Sequence, residues 1–252
     1  MELDFFDCNA AYGMETRPPE YPTVATVAQL RAEMLRAGVK KAIVSRVEQA
    51  QGGMLSANAM LADDLRDLDH LWGTWGIVPK ETHEVPDPEQ MPEAMKRDRI
   101  IGWRLYPEKA RFLMRGFALR EWCEVAFERK IPIFIDTSHG ASLSQVADLL
   151  EAFPNLTVVL TFANCWPSDR YLRPFVSTFP NVYLDLSYML TDYGIESFVG
   201  EYGAGRLLYG SAFPVSYFGA NMLMVRHAKI AAADKVAIAG GNLARIVQEV
   251  RL

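Results

Sequence analysis

The chain has 252 residues, 50 % hydrophobic and 23 % charged, a globular balance with ample material for one large core. A formal charge of −5, with Lys and Arg scattered along the chain, leaves no basic footprint for nucleic acid. No stretch approaches the ~20 apolar residues that span a bilayer, the N-terminal segment lacks a basic and apolar leader pattern, and Cys8, Cys123 and Cys165 are too few and too scattered for a disulfide framework or a thiolate zinc site, so a cytoplasmic protein is expected.

In chain order, eight short β-rich runs alternate with helical patterns. The first, Leu3 to Ala11, carries Asp7-Cys8-Asn9-Ala10-Ala11. Val24, Val27, Leu30 and Met34 then form a helical stripe that Gly38 stops. The second run is Lys41 to Val47, followed by a stripe of Leu61, Leu65 and Leu68, and the third is Leu71 to Val78. Val85 to Pro92 holds three prolines and reads as a loop. The fourth and fifth runs are Ile100 to Tyr106 and Ile131 to Thr137. Ser142 with Gln145 then makes a capping box for a helix through Val146, Leu149 and Phe153, which Pro154 stops. The last three are Thr157 to Ala163, Val182 to Tyr188 and Leu207 to Phe213. Several runs are apolar on both faces, as parallel strands are when helices cover one side and a barrel interior the other. Eight such units in about 250 residues predict an α/β fold, a single-domain (β/α)8 TIM barrel over residues 1–252, with a doubly wound open sheet as the alternative.

Several segments, weak alone, gain meaning from their order around eight units. Gly102-Trp103-Arg104-Leu105, Ile131-Pro132-Ile133-Phe134-Ile135, Phe153 to Leu160, Pro180-Asn181-Val182-Tyr183-Leu184-Asp185-Leu186-Ser187, Gly210-Ser211-Ala212-Phe213-Pro214 and Gly241-Asn242-Leu243-Ala244-Arg245 resemble strands four to eight and the C-terminal motif of the amidohydrolase-related (amidohydrolase 2) branch of the amidohydrolase superfamily. The resemblance covers nearly the whole chain. It implies a TIM barrel whose metal is held by two first-strand histidines, by histidines ending strands five and six, and by an eighth-strand aspartate that also acts as general base. Aligned by motif, those positions carry Asn9, Ala11, Asp136, Phe162 and Ala212. A zinc site needs three or four N, S or O donors converging at about 2.0 to 2.3 Å, and Ala and Phe offer none. No metal and no cofactor are therefore expected, although capture of an ion by Asp7, Asp136, His139 and Asp185 is conceivable.

Polar residues nevertheless remain at the strand ends, where barrels place their chemistry. Arg104, Asp136 and His139 are the catalytic candidates. Arg104 would polarise a substrate carbonyl or carboxylate, and Asp136 or His139 would move protons; alternatively, Arg104 pairs with Asp7 or Asp136 as a charge-compensated core in the space of the lost ion. Asn9, Arg46, Asn164, Trp166, Asp185 and Tyr188 are candidates to line a substrate pocket. Ser211 lies outside any Gly-x-Ser-x-Gly elbow and is not expected to be a nucleophile. Two functions survive: a metal-independent hydrolase of small lactones or activated carboxyl derivatives, which the resemblance allows because that branch includes lactonases working without added metal, or a pseudoenzyme that binds a small molecule or a protein. The expected partner is a small-molecule ligand or substrate, with no nucleic acid and no membrane; a homo-oligomer is left open.

Overall fold

All eight predicted strands form. In the computed structural model they are β1 Phe6–Tyr12, β2 Lys41–Arg46, β3 Leu71–Gly76, β4 Ile100–Leu105, β5 Ile133–Asp136, β6 Val158–Thr161, β7 Val182–Asp185 and β8 Leu207–Leu208, parallel neighbours in chain order within one sheet. The structure describes residues 2–15, 24–51, 53–137, 140–163, 165–189 and 191–252. The two ends of the sheet meet. Cys8 N donates to Tyr209 O at 2.9 Å, Ala11 N donates to Phe213 O at 2.8 Å, and Ala10 bridges Phe213, which closes the cylinder.

Parallel neighbours need long crossovers, and helices supply them. These are α1 Val27–Ala37, α2 Met54–Leu65, α3 Met91–Arg97, α4 Gly116–Arg129, α5 Leu143–Ala152, α6 Cys165–Thr178, α7 Gly194–Tyr202 and α8 Phe218–His227, followed by α9 Ala232–Val236 and α10 Asn242–Glu249. Their limits follow from local chemistry. Thr26 and Gln29 form a capping box at the start of α1, and Gly38, left-handed at φ 77°, donates its N–H to the last carbonyls. Ser142 and Gln145 do the same for α5, as the sequence predicts.

Two expectations change. The proline-rich run is not loop throughout: Pro88–Gln90 is a 3₁₀ turn and Pro92 sits in the first turn of α3, where its missing N–H has no helical partner to lose. The eighth run pairs regularly only at Leu207 and Leu208, and further on Ala212 adopts a left-handed φ of 56°.

The sheet divides the core. Phe6, Cys8, Ile43, Phe134, Val159, Tyr183 and Leu208 fill the barrel interior, and Leu243 and Ile246 of α10 pack onto them. A larger apolar layer joins the outer strand faces to the helices. Among the described residues no helix is long and apolar enough to cross a membrane.

Candidate functional site

Asp7 pairs with Ala42 and Ala10 with Val44, so three steps along β1 match two along β2. Cys8 belongs to the interior cluster and Asn9 lines the mouth above it, so the bulge brings two consecutive side chains to the inner face. Asp7 is buried, its Oδ1 accepting from Asn9 N at 3.0 Å and Ser211 N at 2.9 Å, while its Oδ2 has no partner.

Asn9 is the junction of the site. Its Oδ1 accepts from Arg104 Nη1 at 3.2 Å, and its Nδ2 donates to Asp185 Oδ2 at 2.9 Å. A guanidinium can only donate and a carboxylate can only accept, so a primary amide suits both at once. Asp185 is completed by Ser187, whose hydroxyl donates to Oδ1 at 2.6 Å and whose N–H donates at 3.2 Å. Burial raises the carboxyl groups of Asp7 and Asp185 from 3.8 to about 6, against the pull of these donors. Burial, reinforced by the two carboxylates, also raises the Cys8 thiol, which excludes a ready thiolate there.

Arg104 is 1 % exposed. Its Nε donates to Thr74 Oγ1 at 3.2 Å and its guanidinium lies 5.1 Å from the centre of the Phe134 ring. Its Nη2 has no partner. The expected pairing of Arg104 with Asp7 or Asp136 is therefore not the arrangement found: both described side-chain partners are neutral, and Asn9 stands between the cation and the nearest bonded carboxylate, Asp185.

Above this cluster a cavity of about 450 Å³ opens at the strand ends. Asn9 and Ala11 line it from β1, Ser45 and Arg46 from β2, and Arg104 from β4, with Tyr106 and Lys109 just beyond; Asp136 ends β5, Phe162 follows β6, and Phe213 to Val215 follow β8. Of the residues predicted from sequence, Asn9, Arg46, Arg104 and Asp136 thus meet. Arg46 lines the cavity with its charge already taken, by Glu48 at 2.8 Å and Asp64 at 2.5 Å. Asp185 lies behind Asn9, and Tyr188 packs its ring 5.5 Å from that of Phe162, so neither is a lining residue. His139 and Asn164 lie outside the described residues, and for Trp166 only the backbone in α6 is described.

Sequence reasoning missed Ser45, Tyr106 and Lys109. The Ser45 hydroxyl hydrogen-bonds the Tyr106 phenol, whose pKa burial raises to about 12. Tyr106 lies two residues after Arg104 on the same strand face, a spacing of two that the sequence did display. A second cavity, about 490 Å³, lies at the opposite ends of β6 and β7, where Lys130 is 3.0 Å from Glu249 and Arg245 is 3.4 Å from the Tyr183 hydroxyl.

The described residues of the mouth do not fit a metal ion of the kind the fold family implies. Among the described residues no three His, Cys, Asp or Glu side chains form a group able to hold one. The Asn9 oxygen is spent on Arg104, Ala11, Phe162 and Ala212 offer no side-chain donor, and the guanidinium itself brings positive charge to the place.

An amidohydrolase family model matches residues 12–248. Among solved structures, 5-carboxyvanillate decarboxylase from Sphingomonas paucimobilis superposes with a TM-score of 0.75 at 15 % identity, over 98 % of this chain and 99 % of that one. The 2,6-dihydroxybenzoate decarboxylase from Rhizobium gives 0.73 at 13 %, over 98 % and 99 %. A dihydroxybenzoic acid decarboxylase from Polaromonas, with bound manganese and the inhibitor 2-nitroresorcinol, gives 0.71 at 14 %, over 98 % and 97 %. Compared with the curated proteins, the chain matches none. At these identities the structural likeness carries the fold alone.

Proposed function

The chain belongs to the amidohydrolase family, and from that premise we propose that it is a metal-independent hydrolase of small lactones or activated carboxyl derivatives. The observation that carries the reading is Arg104, a buried guanidinium at the barrel mouth, held by two neutral partners with one nitrogen unpaired. A fixed cation aimed at a carbonyl oxygen stabilises the negative charge that develops there, and in a water-poor site costs no reorganisation during the reaction.

Water without an ion to acidify it keeps a pKa near 15.7, so a side-chain base must assist and the leaving group must be good. Asp136, at the end of β5, is the proposed base, and His139 the proposed donor to the departing oxygen. Water adds to the acyl carbon, Asp136 takes its proton, the ring C–O bond breaks, and the alkoxide takes a proton from His139, leaving a hydroxy acid. A second reading is favoured by Ala11, Phe162 and Ala212, which bring no acid or base to the positions the family resemblance marks: a ligand-binding pseudoenzyme without turnover.

A panel of lactones and activated esters, assayed with and without chelator, separates the two. The hydrolase reading expects chelator-resistant turnover that falls by about 10² to 10⁴-fold in Asp136→Asn or His139→Gln. Silence across the panel selects the pseudoenzyme; activity untouched by both substitutions shows that other residues do the work.

A further inference from the structure

We infer that this mouth recognises an ionised carboxylate, so that the ring-opened hydroxy acid occupies it more tightly than the neutral lactone. The inference rests on the reading that the Arg104 cavity is the ligand site, and not on turnover.

The charges lining the cavity are unequally satisfied. Arg46 is held by Glu48 and Asp64. Glu15 and Asp136 each already interact within the protein. Arg104 Nη2 has none, and Lys109, exposed at the rim, makes no described ion pair or hydrogen bond. Among the described lining residues, these two cationic groups are thus without a described partner.

Asn9 and Thr74 fix the guanidinium without neutralising it by contact. A buried cation left with neutral partners gains most from an anionic ligand, because a hydrogen bond between ionised groups is roughly twice as strong as a neutral one. A lactone carbonyl presents only a partial charge to Nη2, whereas the acid presents a full one. Nη2 alone of the guanidinium nitrogens lacks a partner, so it has one hydrogen bond to offer a carboxylate oxygen, and Lys109 adds attraction across the rim. Phe162 and Phe213 supply apolar wall for the rest of a small ligand.

The test is calorimetric titration of the intact protein with 2-(hydroxymethyl)benzoate, with phthalide, its lactone, and with 2-(hydroxymethyl)benzamide as a second neutral comparator. The acid is expected to bind about tenfold or more tightly than either neutral compound. Arg104→Lys keeps the charge but removes Nη2, and is expected to erase most of that preference; Lys109→Met leaves the buried cluster untouched and is expected to weaken the acid alone and flatten its salt dependence. Phthalide or the amide binding as tightly as the acid would overturn the inference, as would acid affinity unchanged in both variants, or no binding by any of the three. Binding of the acid as described with no turnover on the lactone panel would remove the hydrolase and leave the carboxylate site standing.

Discussion

Arg104 donates to the side-chain oxygen of Asn9 at 3.2 Å. Through the other end of the same amide, which donates to Asp185 at 2.9 Å, a cation from the fourth strand is tied to a carboxylate from the seventh by a neutral residue from the first. The three strands are thereby cross-braced at the mouth.

Replacing Asn9 exposes what the amide does. Asn9→Leu leaves Arg104 Nη1 and Asp185 Oδ2 both buried without this partner, at about 1 to 3 kcal/mol for each group, so a loss of about 2 to 6 kcal/mol in denaturant unfolding is expected. Asn9→Asp instead sets a second carboxyl within hydrogen-bond distance of Asp185 and is expected to be stable only where one of the two is protonated, which pH-dependent melting detects. Neutral behaviour of both variants would contradict the bridge.

For Arg104→Met the expected cost is about 1 to 3 kcal/mol, the loss of the donors serving Asn9 and Thr74 offset by removal of a buried charge. A directly paired buried ion would lose about 3 to 5 kcal/mol or more. A urea midpoint in the higher range would show that a carboxylate meets the guanidinium directly.

Asp7 gives a pH dependence whose sign is fixed. Burial raises its pKa from 3.8 to about 6 in the folded protein, so the fold binds this proton more tightly than the unfolded chain does. The resulting stabilisation is full below about pH 3.8 and is lost as pH rises through about 6. Measured against Asp7→Asn, which lacks the titration, the wild type is expected to lose about 1 to 2 kcal/mol of relative stability between about pH 5 and about pH 7.5. A relative gain over that interval would mean that the Asp7 carboxyl is held below its usual range.

The fold was legible because its signals are local: eight apolar runs, Gly38 ending α1, and Ser142 with Gln145 opening α5. The place of Asn9 and Arg104 at the mouth was legible too, since both lie toward the C-terminal ends of their strands. The partner of Arg104 was not. Charge alone favours Asp7 or Asp136, but the bulge at Asp7 to Ala10 sets Asn9 in between, and the single residue that makes a bulge leaves no signature in Asp7-Cys8-Asn9-Ala10. The left-handed alanine after β8 was equally hidden, because nothing in Gly210-Ser211-Ala212-Phe213 announces it. Lys109 escaped because a charged residue beyond a strand reads as ordinary surface until the cavity shows what it faces.

In the proposed function, Arg104 held by Asn9 acts at a mouth that works without an ion. The most direct measurement is calorimetric titration of chelator-treated protein with zinc and with manganese, accompanied by elemental analysis of the protein as purified. The account predicts far less than one ion per chain and no saturable site, because the described side chains cannot assemble the three or four donors required. One tightly bound transition metal per chain, lost in Asp136→Asn, would contradict it.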